Sequence, residues 1–178
     1  MQLNYKAVLF LISALFIIYV PIRTSTQAKE NQGKEIFTMQ EKINVGYMFY
    51  YIYLACWSNT LRPYSSFNKR PDAKYLFIAL GTQNHDTQPR TLPPFKLIDE
   101  NGNEYDASPN AIYVENALSF FENLNPKVDK AGWILFDVPE TRTYKLKVSG
   151  GYWSSEDAFV QLSTQTMAQC QKELKKKK

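Results

Sequence analysis

Histidine is nearly absent from this sequence: its 178 residues hold one, His85, together with only two cysteines, Cys56 and Cys170. With a single imidazole, a histidine-based triad would need a nucleophile and an orienting carboxylate close to His85. No pattern marks either, so His85 reads as an exposed loop residue beside Asp86. A zinc site would have to draw on both cysteines and a carboxylate besides. No catalytic residue, metal ligand or cofactor is therefore expected, and no small-molecule substrate. A charge excess of one sign is lacking as well. The formal net charge is +4, yet residues 29–178 carry 19 Lys/Arg against 17 Asp/Glu, and four of those lysines form the terminal run Lys175, Lys176, Lys177 and Lys178. Without that run the body is slightly acidic, which excludes a nucleic-acid-binding face. The run itself reads as a solvated end, with contact to an acidic membrane surface or partner as the alternative.

No apolar run is long enough for an ordinary membrane span. The longest covers the 14 residues 7–20, after Lys6 and before the helix breaker Pro21. That is the length of a signal-peptide core. Thr26-Gln27-Ala28 offers small residues for cleavage before Lys29, so residues 1–28 are expected to be a signal peptide, with an uncleaved anchor as the alternative. No Cys closes the run, which argues against a lipid-modified N-terminus. Either way the body is expected in the periplasm or at the cell surface, in contact with a membrane only if the N-terminal segment is retained. Residues 29–42 are polar and read as a tether.

Aromatic residues are plentiful, at 15% with 12 Tyr and 11 Phe, which favours an all-β domain. The chain is organised around residues 132–139, Gly-Trp-Ile-Leu-Phe-Asp-Val-Pro, and the run 75–80, Tyr-Leu-Phe-Ile-Ala-Leu. Both read as central strands. Ile134, Phe136 and Val138 share one side, Asp137 faces the other way, and Pro139 ends the ladder. Residues 143–148 show the cleanest alternation, with Tyr144, Leu146 and Val148 inward. Phe95-Lys96-Leu97-Ile98 is a strand, and Asn101-Gly102 supplies a tight turn before Tyr105. The acidic spacing from Asp99 to Asp106 superficially matches a calcium loop, but Gly stands at the fourth position where such a loop needs it at the sixth; a hairpin turn is expected. Residues 58–73 read as a long loop, and 108–128 as loop with one helical turn.

Residues 43–57 are too aromatic and β-branched for a good helix and too long for one strand, so Gly46 is expected as a bulge or break. Alternation places aromatic side chains on both faces. One face fills the core. The other leaves Tyr50, or Tyr47, Tyr51 and Tyr53, at the surface as a contact for a protein or glycan, or beneath a loop.

The order of these strands and turns resembles the telokin-like, immunoprotective extracellular domain family. The matching positions are Val45-Gly46, the 75–80 run with Gln83-Asn84, Phe95 to Asp99 with Asn101-Gly102 and Tyr105, Asn125-Pro126, residues 132–139, and Tyr144-x-Leu146-x-Val148. The resemblance implies an immunoglobulin-like β-sandwich of about seven to eight antiparallel strands, exported from a bacterium and without catalytic residues. Two departures are the missing lipid-attachment Cys and the long basic loop with Arg62, Lys69 and Arg70. The expected organisation is a signal segment (1–28), a tether (29–42), the sandwich (43–165) and a frayed lysine-rich tail (166–178). Cys56 and Cys170 form a bridge in an oxidising compartment, or remain a buried thiol and a loose one. The expected function is non-enzymatic: recognition of another envelope or extracellular protein, or a structural role. The alternatives are a membrane-anchored accessory subunit and an envelope enzyme or metal-dependent factor using a loop site.

Overall fold

Eleven residues, Met48–Ser58, form the longest strand among the described residues, and the way they alternate sets the architecture. The computed structural model describes residues 35–118, 122–151 and 154–176. The expected signal segment 1–28, the first part of the tether and the apolar pair Phe120-Phe121 lie outside the described residues. In chain order the strands are β1 (Ile36–Phe37), β2 (Ile43–Val45), β3 (Met48–Ser58), β4 (Tyr75–Asn84), β5 (Arg90–Thr91), β6 (Lys96–Asp99), β7 (Glu104–Asp106), β8 (Asn123–Leu124), β9 (Asp129–Asp137), β10 (Tyr144–Ser149), β11 (Asp157–Gln161) and β12 (Thr164–Thr166). A 3₁₀ turn, Pro109–Tyr113, and a helix, α1 (Met167–Lys176), complete the described elements.

The fold is a β-sandwich. One sheet has the order β1-β11-β10-β6-β7, and the other β12-β3-β4-β9 with β2 hairpinned onto β3. Between them Met48, Tyr50, Ile52, Ile78 and Phe136 of the second sheet meet Leu97, Leu146, Val148 and Val160 of the first. Tyr144 stands at the start of β10 and donates its hydroxyl to the Pro139 carbonyl at 2.8 Å. This closure of a strand corner by a tyrosine is a recurrent device of immunoglobulin-like sandwiches. Burial and the surrounding charges push the Tyr144 phenol up to about 12.

A β-bulge then divides β3. Ile52 opposes Leu80 and Leu54 opposes Ala79, so Tyr53 is the extra residue. Before it the even positions Met48, Tyr50 and Ile52 face the sandwich core; after it Ala55 and Trp57 do. Leu54 and Cys56 are thereby turned to the outer face, where they join Tyr75, Phe77, Trp133 and Leu135. This half of the outer face is covered by Leu61 and Tyr64 of the loop 59–74, by Val114, and by Met167, Cys170 and Leu174 of α1. Strands buried on both faces explain why 75–80 and 132–139 read as continuous apolar runs. Cys56 and Cys170 are joined by a disulfide across 114 residues, with Cα atoms 6.3 Å apart. Unlike a bridge through an immunoglobulin core, it lies outside the sandwich, on the face away from Trp57.

Several expectations need correction. The segment 132–139 pairs with β4 on one side only. Its free edge is closed by residues 116–118: Trp133 N–H donates to the Asn116 carbonyl and Leu118 N–H to the Trp133 carbonyl, both at 2.9 Å. That approach requires Gly132, since a Cβ there would lie 2.3 Å from the Asn116 oxygen. The tether is shorter than expected, because Ile36–Phe37 adds a parallel strand to β11. Gly46, at φ +51°, is a break, and it turns the β2–β3 hairpin. The 166–178 tail does not fray over its described part. Thr166 and Gln169 cap α1 reciprocally, Thr166 N–H to Gln169 Oε1 at 2.9 Å and Gln169 N–H to Thr166 Oγ1 at 3.4 Å. This is the capping-box arrangement. Met167, Cys170 and Leu174 follow at helical spacing. The strands outnumber the expected seven to eight because six of the twelve are pieces of two or three residues.

The disulfide is expected to add about 4–5 kcal/mol by restricting the unfolded chain. Urea unfolding of the Cys56→Ser/Cys170→Ser protein should show that loss, and an unchanged midpoint would contradict it. Gly132→Ala should cost about 1–3 kcal/mol by pushing residues 116–118 off the strand edge, read as a fall in thermal midpoint without a change in the disulfide.

Candidate recognition surface

The tyrosines of β3 are distributed by the pleat and the bulge. Tyr50 is fully buried in the sandwich core, so its expected place on a recognition surface is corrected. Its hydroxyl donates to the Ser149 carbonyl at 2.7 Å, and burial pushes its phenol far above the ordinary value. Tyr47 lies in the β2–β3 turn, 46% exposed, at the end of the sandwich. The Arg90 guanidinium stands 4.0 Å from its ring, and Asp86 holds Arg90 from the other side. Hydrogen bonds from the Thr87 N–H and from Arg90 keep the Asp86 carboxyl below its usual range.

Tyr51 and Tyr53 alone come together, their ring centroids 4.8 Å apart. They lie on the outer face of the second sheet, on the half that α1 and the loop 59–74 leave bare. Phe49 extends the row towards the turn. Across the sheet Tyr51 is level with Gly81 of β4, which is buried beside the Tyr53 ring, and with the exposed Ala131 of β9. A Cβ at Gly81 would stand 2.9 Å from the Tyr53 hydroxyl oxygen. The glycine lets the bulged tyrosine lie down on the sheet. The rim is polar, with Gln83 donating to Asp129 at 2.7 Å and the Lys42 ammonium 4.6 Å from the Phe49 ring. On its other side Tyr53 borders a cleft of about 330 Å³ lined by Thr38, Gln40, Gln161 and Gln165.

His85 packs its ring 5.8 Å from Phe49, and its carbonyl accepts from Lys127 at 2.6 Å. Among the described residues no three His, Cys, Asp or Glu side chains are grouped as metal ligands would be. The acidic spacing around Asp99 resolves into a hairpin device. The Asp99 carboxylate accepts from Asn101 N–H, Asn103 N–H and Asn103 Nδ2 at 2.9 Å each. Tyr105 donates its hydroxyl at 3.1 Å, and Arg142 stands at 3.3 Å. Burial alone would raise this carboxyl, but the Asn103, Tyr105 and Asn101 hydrogen bonds outweigh it and hold Asp99 at about 2.

The family model for a domain of unknown function, DUF4352, matches residues 39–158, and the chain belongs to that family. Among solved structures it is similar to the yjhA protein of Bacillus subtilis, at TM-score 0.55 and 13% identity over 71% of this chain and 99% of that one. It is also similar to an uncharacterized β-sandwich protein of Clostridium difficile 630, at TM-score 0.51 and 14% identity over 76% and 98%. A third, a candidate lipoprotein of Bacillus subtilis named ycdA, shares a TM-score of 0.51 and 13% identity over 67% of this chain and 38% of its own. At these identities the likeness is one of fold. No curated protein matches the chain in sequence.

Asp99 ties stability to pH. Because folding lowers its pKa from 3.8 to about 2, its contribution is complete above about pH 4 and is lost as the pH falls towards 2. The stability difference between the protein and Asp99→Asn, measured by urea unfolding at a series of pH values, should narrow across that window. A constant difference would contradict the hydrogen-bond account.

Proposed function

We propose that this is an exported, non-enzymatic immunoglobulin-like module that recognises another protein of the cell envelope through the Tyr51–Tyr53 shelf. The observation that carries the reading is the asymmetric cover of the second sheet. One half of its outer face lies under a loop and under α1, which a disulfide ties to β3, while the other half presents Phe49, Tyr51 and Tyr53 beside Ala131. Tyrosines are enriched where proteins meet, because two side-chain torsions fix a large contact area with a polar tip. A flat aromatic shelf with a polar rim suits an extended or loop-like partner surface.

The non-enzymatic part of the reading rests on how the candidate groups are occupied. His85 packs against Phe49, Asp86 is taken up by Arg90, and Asp99 by the turn that follows it. The envelope location is supported by the signal-like segment 1–28, by a disulfide, which persists in oxidising compartments, and by the candidate-lipoprotein neighbour. The telokin-like, immunoprotective resemblance accords with the same reading, and the tyrosine corner at Tyr144 supports it locally.

The test is site-specific photocrosslinking in producing cells. A photoreactive side chain at Tyr53 should give one discrete adduct, lost with Tyr51→Ala, while the same group at exposed Val128 should give none. Identical patterns at Tyr53 and Val128, or no adduct at Tyr53, would remove the shelf as the recognition surface.

A further inference from the structure

Three segments far apart in sequence, 58–73, 107–116 and 167–176, are gathered over the covered half of the second sheet. Glu115 N–H donates to the Tyr64 carbonyl at 2.7 Å. Phe67 and Tyr113 meet with ring centroids 4.9 Å apart, and the Lys69 ammonium lies 4.4 Å from the Tyr113 ring. Pro63 and Tyr64 share a shallow groove with Gln171, Leu174 and Lys175 of α1. The gathering concentrates charge. These segments hold 6 Lys/Arg and 3 Asp/Glu, and Asp106 and Asp137 line a cleft with Asp72 at the Pro109–Asn110 end of the 3₁₀ turn. The basic side chains of the region therefore belong to the loop and to α1. Arg62, Lys69, Arg70, Lys172, Lys175 and Lys176 are all exposed there. Two large apolar side chains rise among them: Phe67 is 55% and Ile112 81% exposed.

Exposed apolar side chains beside a basic loop and helix are features by which a folded domain docks reversibly on an anionic bilayer. The apolar side chains enter the headgroup boundary while lysines and arginines pair with lipid phosphates, their aliphatic stems lying along the interface. We propose that this face is a docking surface for an anionic phospholipid membrane. A bilayer fits better than an acidic protein pocket-partner because Ile112 stands 81% exposed on the 3₁₀ turn. A membrane is also where the apolar run 7–20 would direct the chain. The contact is made by the domain itself, in addition to any anchoring by the N-terminal segment. It leaves the Tyr51–Tyr53 shelf free, since that shelf occupies the other half of the sheet face.

The experiment uses the full chain reconstituted in vesicles of phosphatidylcholine alone or mixed with phosphatidylglycerol, each doped with brominated phospholipid. A tryptophan placed by Ile112→Trp reports insertion by bromine quenching, after subtraction of the parent signal. Val128→Trp, exposed to a similar degree as Phe67 and located by the far end of β9, is the control. Quenching of Ile112→Trp is expected only in the anionic vesicles, reversed by high salt. It should fall about tenfold or more when Lys172→Glu, Lys175→Glu and Lys176→Glu are added, with the thermal midpoint checked to show that the variant is folded. Absence of quenching, equal quenching in both lipids, or equal quenching at Val128→Trp overturns the proposal.

Discussion

The single residue inserted at Tyr53 is the constraint on which the rest of this structure depends. A strand of period two can bury only one face consistently, and the bulge exchanges the two faces partway along β3. Ala55 and Trp57 continue the sandwich core in place of Leu54 and Cys56, which are sent outward. An outward Leu and Cys beside Phe77, Trp133 and Leu135 form an apolar surface that water would not tolerate uncovered. The long loop, the segment 107–118 and the C-terminal helix provide that cover, and the disulfide holds the helix where the bulge has turned Cys56 to meet it.

The same geometry divides the outer face of the second sheet into two surfaces of different chemistry. Beyond the reach of α1 the strands carry Gly81, covered by the Tyr53 ring, and the small Ala131, beside a row of aromatics. Under the cover, the elements that do the covering bring their own charges, and the basic loop and the lysine-rich helix meet because they pack on one apolar patch. The two exposed features of the domain are thus consequences of how its second core is closed.

The first sheet shows how little is needed when strands are short and local. Asp99 organises the β6–β7 hairpin with one carboxylate, satisfying the turn's backbone donors and the Asn103 and Tyr105 side chains. An acidic loop that superficially resembles a cation site therefore spends its charge on its own backbone, a more frequent use of aspartate in turns. Tyr144 closes the opposite corner by a hydrogen bond reaching five residues back. Both devices act over a few residues.

That difference in range separates what was legible in the sequence from what was not. The β class, the strands around 75–80, 95–98, 132–138 and 144–148, the turn at Asn101-Gly102 and the break at Gly46 follow from local alternation and turn chemistry, which a short window contains. The helix at Met167–Lys176 was equally legible in the Thr166-x-x-Gln169 box and the Met167, Cys170, Leu174 spacing, though a terminal lysine run disguises it. The position of the bulge was not. Every residue from Phe49 to Trp57 is apolar or aromatic except for hydroxyl and thiol tips, so no polar residue marks the outer face and the phase change leaves no trace. Which tyrosine is core and which is surface, whether Cys56 meets Cys170 across 114 residues, and which edge of β9 is free were decided only when the faces found their partners. Alternation is a property of the strand, whereas the choice of buried face is a property of what packs against it.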